Sequence, residues 1–205
     1  MHRRTALSVS AVLLAAAPLL TACSGGPHAG TAAVVGGERI TTTALQDQVK
    51  DVREAQDRSG QGARLMQASA GLERVKLGKM IQLRVLERAA RDAGISVTTK
   101  EVEDARKAQE AAGGNLQERA LQARVPLAPD QIDEEIRFQL LLARLSEKFG
   151  EDKILQPLSK AAADLHIEVN PRYGAWDAQQ IGLGTGQTPW ITQRTRSDQL
   201  APAGA

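Results

Sequence analysis

From Leu72 to Ala93 the apolar residues fall along two sides of a helix: Leu72, Val75, Leu83, Leu86, Ala90 and Ala93 on one, Leu77 and Ile81 on another. A helix that is apolar on two sides needs a neighbour on each. This segment is therefore read as the central helix of a mainly α, multi-helix domain. Gly94 stands where a left-handed residue closes a helix. Gly78, inside the run, costs about 1 kcal/mol against alanine and suggests a close helix crossing.

Other helices are marked by their starts and stops. Thr41, Thr42 and Thr43 offer caps to a helix carrying Leu45, Val49 and Val52, a narrow stripe that packs on one side only. Asp57 to Gly71 contains Gly60 and Gly62 and reads as a loop or frayed end. Thr98-Thr99-Lys100-Glu101 fits a capping box, and the weakly apolar helix that follows stops at Gly113-Gly114. Asn115 with Glu118 opens a short helix. The segment from about Asp130 to Lys148 carries Ile132, Ile136, Phe138, Leu140, Leu141, Leu142 and Leu145, and ends at Gly150. Pro157 suits the first turn of a last helix with Leu158, Ala161, Ala162 and Leu165. At the two ends, Ala32 to Ile40 predicts a strand and a Gly36-Gly37 turn, and His166 to Asn170 predicts another strand. Isolated strand pairs are marginal, so Val34-Val35 and Ile167-Val169 are expected to pair with each other and close the fold. From Ala178 to Ala205 periodicity fails and the chain reads as a disordered tail.

The first residues read as an address. Met1-His2-Arg3-Arg4 is a positive start, and Ala6 to Leu20 is an apolar run too short to be a confident membrane span. The run leads to Leu20-Thr21-Ala22-Cys23, which resembles the bacterial lipobox. That resemblance implies a signal peptide over residues 1–22, cleavage before Cys23 and a diacylglycerol on its sulfur. It places the protein on the extracytoplasmic face of the cell membrane, held in the bilayer through Cys23. The Arg3-Arg4 pair leaves the twin-arginine route open beside general secretion. Residues 23–32 then form a Gly-rich tether, and 33–177 the foldable domain.

Composition narrows the function. Cys23 is the only cysteine, so neither an internal disulfide nor a cysteine-rich zinc site is available. Removing Arg3 and Arg4 takes Lys+Arg from 26 to 24, against 24 Asp+Glu. A neutral chain with five aromatic residues (Phe138, Phe149, Tyr173, Trp176 and Trp190) argues against nucleic-acid binding. No HExxH, GxSxG or Walker sequence occurs. His166 is a lone histidine, and Gly182-Leu183-Gly184-Thr185-Gly186 lacks the strand and helix of a phosphate loop. Asp130, Asp133, Glu134 and Glu135 complement a helix N-terminus. Arg84, Arg88 and Arg91 read as a solvated helix face. No catalytic residue, metal ligand or cofactor is assigned.

Several segments together resemble one family. Val35-Gly36-Gly37-Glu38-Arg39-Ile40 is similar to the opening strand-turn of the SurA N-terminal-like domain of periplasmic chaperones and PrsA-type lipoproteins. Ile95-Ser96-Val97-Thr98 with Glu101-Val102 resembles its link into a later helix, and Ile136-Arg137 through Arg144-Leu145 its long helix. Ile167-Glu168-Val169-Asn170-Pro171-Arg172-Tyr173-Gly174-Ala175-Trp176 resembles its return segment. Gly36 stands where relatives often have Asn. Many relatives insert a parvulin-type prolyl isomerase before the return strand; here one helix separates Phe149 from His166, too little chain for that domain. The resemblance implies a non-enzymatic, chaperone-like module that binds unfolded or newly exported polypeptides; the alternative is an interaction lipoprotein that docks one folded envelope partner. The oligomeric state is left open. Apolar residues off the main stripes, Leu65, Met66, Leu77 and Met80, are the expected client contacts.

Overall fold

The computed structural model describes residues 29–184; residues 1–28, with the expected signal peptide and Cys23, and residues 185–205 lie outside them. The chain enters through β1 (Thr31–Val35) and β2 (Glu38–Thr41), then runs through α1 (Thr42–Arg58), α2 (Gly62–Ala68), α3 (Leu72–Asp92), α4 (Thr99–Ala111) and α5 (Leu116–Gln122). After a 3-10 turn at Pro129–Gln131 come α6 (Ile132–Phe149) and α7 (Leu155–Asp164). β3 (Glu168–Val169), β4 (Ala175–Asp177) and β5 (Gly182–Gly184) end the described chain.

The helices start where side chains satisfy their free amides. Thr41 accepts from the Ala44 amide at 3.0 Å. Thr98 and Glu101 form the expected capping box, Glu101 accepting from the Thr98 amide at 2.8 Å. Asn115 accepts from Gln117 and Glu118 at 3.0 and 3.2 Å.

The ends of the domain close as expected. A three-stranded antiparallel sheet has the order β2-β1-β3, with Ala33 opposite Val169 and Val34 opposite Glu168. The Asn170 amide donates to the Ala32 carbonyl at 2.9 Å and its side chain to the Thr31 carbonyl at 3.1 Å, so one residue locks both strands. Gly36 and Gly37 both take positive φ, as a two-residue hairpin turn requires. A Cβ on Gly36 would lie 2.7 Å from Leu165 Cδ2, so a side chain there would require Leu165 to move.

α3 is the central helix. Leu77, Ile81 and Val85 are wholly buried in the main core, which also holds Ile40, Leu45, Ile132, Ile136, Leu141 and Leu145. Burial of each such side chain contributes roughly 1.5–3 kcal/mol. The most buried line is therefore the one through Leu77 and Ile81. Val75, expected to be buried, is 42 % exposed.

Basic residues of α6 clasp the link between α3 and α4. Arg137 donates to the Val97 carbonyl at 2.9 Å, Arg144 to the Ser96 carbonyl, and Lys148 to the Ala93 carbonyl at 2.6 Å. Arg144 also pairs with Glu101, holding that carboxyl down at about 2.

Four expectations need correction. Residues 62–68, expected as loop, form α2. Gly62 permits this, because a Cβ there would lie 2.8 Å from the Gln56 carbonyl oxygen. The tether does not extend to residue 32: β1 starts at Thr31, and Thr31 and Ala32 are fully buried. The tail does not begin at 178, because β5 pairs with β4 and Ile181 is buried in the main core. Gly78 faces no crossing helix; its neighbour is Leu183 of β5.

Candidate functional site

The four expected client contacts do not form one patch. Leu77 is 0 % exposed inside the main core and is removed from any surface. Met80 is half-buried between α3 and α6, beside Lys76, Gln131 and Phe138, in a pocket too small for a ligand. Leu65 and Met66, both half-buried, lie on α2 away from these two. Off-stripe position misled the reading of Leu77 and Met80 because α3 is packed on more sides than two.

The structure instead brings Leu65 together with residues far away in sequence. Ala55 and Arg58 at the end of α1, Ser59 to Gln61, Leu65, Leu121 of α5 and Pro129 line an open groove of about 610 Å³. Its apolar floor is Ala55, Leu65 and Leu121; Ala55 and Leu121 belong to a second, smaller core with Val52, Leu72 and Ala128, against which Leu65 packs. Its rim is rich in amides: Gln61, Asn115, Gln117 and Gln122, with Arg58 and Glu118 the charged members. Across α5 lies a second concavity of about 350 Å³, lined by Leu116, Ala123 and Val125 with Arg119 and Arg124. α5 is thus a ridge between two partly apolar grooves.

α2 reaches this position through a polar knot that periodicity does not reveal. Arg53 donates to Gln56 Oε1 at 2.9 Å, to Ser69 Oγ at 2.7 Å and to the Met66 and Ser69 carbonyls at 3.2 and 2.9 Å. The fully buried Gln56 donates to Ser69 Oγ at 3.2 Å, and Ser69 donates on to the Leu65 carbonyl at 2.7 Å. A guanidinium satisfying carbonyls at a helix C-terminus is favourable both as a hydrogen bond and against the dipole. The knot seats Leu65 at the groove wall.

Several of the polar groups singled out in the sequence have structural partners. His166 is exposed at φ 43, with Nδ1 at 3.0 Å from the Asp164 carbonyl oxygen. Arg84 pairs with Glu38 at 3.5 Å, and Arg88 with Asp92 and Asp164 at 3.0 and 3.7 Å, both at the surface, and Arg91 is exposed. Of the acidic cluster, Asp133 binds Arg106 at 2.7 Å and Glu135 binds Lys79 at 2.9 Å. Lys79 Nζ also lies 3.2 Å over the Phe138 ring. Among the described residues no group of three or more His, Cys, Asp or Glu is placed to hold a metal, and no helix is long and apolar enough to cross a membrane.

The chemistry on offer in the groove is recognition: an apolar floor for side chains and amides that both donate and accept along its edge. No curated protein and no solved structure matches the chain. The SurA-like N-terminal domain matches residues 3–146, ending within α6 and leaving α7 and the strands β3 to β5 outside the match. Since that span is well over half of the sequence and covers the strand-turn, the capping-box link and most of the α6 clasp, the protein belongs to the SurA-like N-terminal domain family.

Proposed function

We infer that this protein is a lipid-anchored, extracytoplasmic chaperone, without enzymatic activity or cofactor, that binds unfolded or newly exported polypeptides. The family is a chaperone-type domain. The observation that carries the reading further is the groove between α1, α2 and α5. Its small apolar floor and amide rim suit short apolar stretches of many sequences, as a promiscuous binder needs. Attachment through Cys23 rests on the lipobox alone. Only a 3-10 turn and α7 separate α6 from β3, which supports a module without the isomerase domain of its longer relatives.

The test is suppression of aggregation of a chemically denatured model protein by the full mature chain. Leu65→Glu places a charge on the groove wall without entering the main core. It should weaken suppression about tenfold, the equivalent of losing one apolar contact, with an unchanged circular dichroism spectrum. Absence of suppression by the wild type, with capture of one folded envelope protein at fixed stoichiometry, would overturn the reading in favour of a single-partner adaptor.

A further inference from the structure

β5 lies along α3 in an unusual way. Gln82 Nε2 donates to the Ile181 carbonyl at 2.8 Å, and Arg74 Nη2 donates to the Leu183 carbonyl at 3.1 Å. The Ile181 carbonyl, one residue before β5, and the Leu183 carbonyl within it are both caught by side chains eight residues apart on one helix. Between them Gly78 leaves the surface bare, and Leu183 rests over it, 3.6 Å from where a Cβ would be. Two side-chain donors flanking a bare glycine read the main chain of the segment and place no demand on its side-chain identity beyond the apolar residues at 181 and 183.

The segment that fills this track is poorly accommodated. Ile181 sits at φ +49, a left-handed conformation that a β-branched residue adopts at a cost. In the strand opposite, Trp176 Nε1 is buried without a hydrogen-bond partner, as is the Tyr173 hydroxyl just before it. The hairpin is only three residues a side, with Asp177 Oδ1 accepting from the Gln179 and Gln180 amides at 2.8 and 3.1 Å in its turn. Strain at Ile181, and unsatisfied polar atoms in the segment its hairpin pairs with, describe a strap that opens more readily than the α3 body beneath it.

We propose that the Arg74–Gly78–Gln82 track on α3 is a binding site for an extended polypeptide, occupied in cis by residues 181–184 and taken over by a client segment when the strap lifts. The client half of the proposal rests on the chaperone reading; the site itself does not. Apparent affinity falls with the fraction of molecules whose site is open, so a strap shut in about nine molecules of ten weakens binding about tenfold.

The experiment compares the full mature chain with Ile181→Ser/Leu183→Ser, which loosens the strap. It uses two probes: a fluorescent peptide with the sequence of residues 175–184, and a reduced, alkylated model protein that stays unfolded. The variant should bind both about tenfold more tightly than the wild type. Adding Arg74→Ala/Gln82→Ala should return both to wild-type levels or below. A folded variant that gains no affinity for the peptide overturns the site. So does a gain that survives Arg74→Ala/Gln82→Ala, since that would be exposed apolar surface rather than the track. Binding of the peptide but not of the unfolded protein upholds the site and refutes the chaperone reading. Should the double variant fail to fold, Asp177→Ala loosens the hairpin turn without touching the core and is read by the same outcomes.

Discussion

Lys76 offers a quantitative check on how α3 is buried. Its side chain is 3 % exposed, and Nζ donates to Gln131 Oε1 at 2.5 Å. Burial pushes the amine down from 10.5 to about 8, against the opposing pull of Glu134, Glu135 and Asp130. At 1.36 kcal/mol per unit, the charged folded form carries a penalty of about 3 kcal/mol. Between the two values the unfolded chain binds more protons than the folded one, so this residue makes stability rise with pH from about 8 to about 10.5. Below about 8 the whole penalty is present.

Lys76→Met keeps the stem and removes the charge. Gln131 is not orphaned by it: Oε1 still accepts from the Ala128 amide at 3.2 Å, and Nε2 still donates to the Gln48 carbonyl at 2.9 Å. Allowing about 1 kcal/mol for the lost hydrogen bond, the variant should be more stable than the wild type by about 2 kcal/mol at neutral pH. The gain should shrink and then reverse in alkali, as the wild-type amine becomes neutral. Urea unfolding of both proteins at a series of pH values measures the difference directly. Parallel profiles through the alkaline range, or a variant less stable at neutral pH, would refute the account of Lys76 as a desolvated cation.

Gly78→Ala should stabilise the protein by up to about 1 kcal/mol, since the new methyl meets only Leu183 at ordinary contact distance, whereas Gly62→Ala should destabilise it by driving Cβ against the Gln56 carbonyl; thermal melts of the two give opposite signs. Ending the chain after Asp164 removes β3 and the Asn170 lock, and should lower the melting point far more than ending it after Asp177, which removes only the half of the hairpin that carries Ile181 and Leu183. Equal effects would deny that the fold closes through β1 and β3. Cys23→Ala should release the protein from the membrane fraction or leave it unprocessed, because two acyl chains suffice for stable attachment. Retention of a processed variant in the pellet would end the lipobox reading.

The elements legible in the sequence are those specified locally. α3, α4 and α6 announce themselves by apolar periodicity and by caps such as Thr98 with Glu101, within a few residues of where they act. The β1–β3 closure was legible because two short β-branched segments at opposite ends had no other partner. α2 was not, since its seven residues have no buried face and depend on Arg53, Gln56 and Ser69, polar side chains that periodicity ignores. β5 was hidden for the same kind of reason: Gly182-Leu183-Gly184 shows no alternation, and its partners Arg74 and Gln82 lie about a hundred residues earlier. Of the candidate site, Leu65 was found but the groove was not, because α5 and Pro129 reach it only through tertiary packing.

The two proposed binding features share no residue and are separate in the fold. Gly30 accepts from the Thr42 amide at 2.8 Å, so the chain enters beside the N-terminus of α1. The groove lies at the other end of that helix, past Arg58, and 17 residues at 1.5 Å each put it about 25 Å from the entry point. If Cys23 is acylated, the seven residues from Ser24 to Gly30 reach at most about 25 Å, which bounds the distance of the β1 end from the bilayer and leaves the direction of α1 free. Leu72, in the first turn of α3, shares a small core with the groove residues Ala55 and Leu121, whereas Arg74, two residues and about 200° further round the helix, begins the track under β5. A client segment that displaced the strap would therefore lie along α3 from Gln82 to Arg74 on a face separate from the groove. The short hairpin would decide when that track is open, independently of the groove.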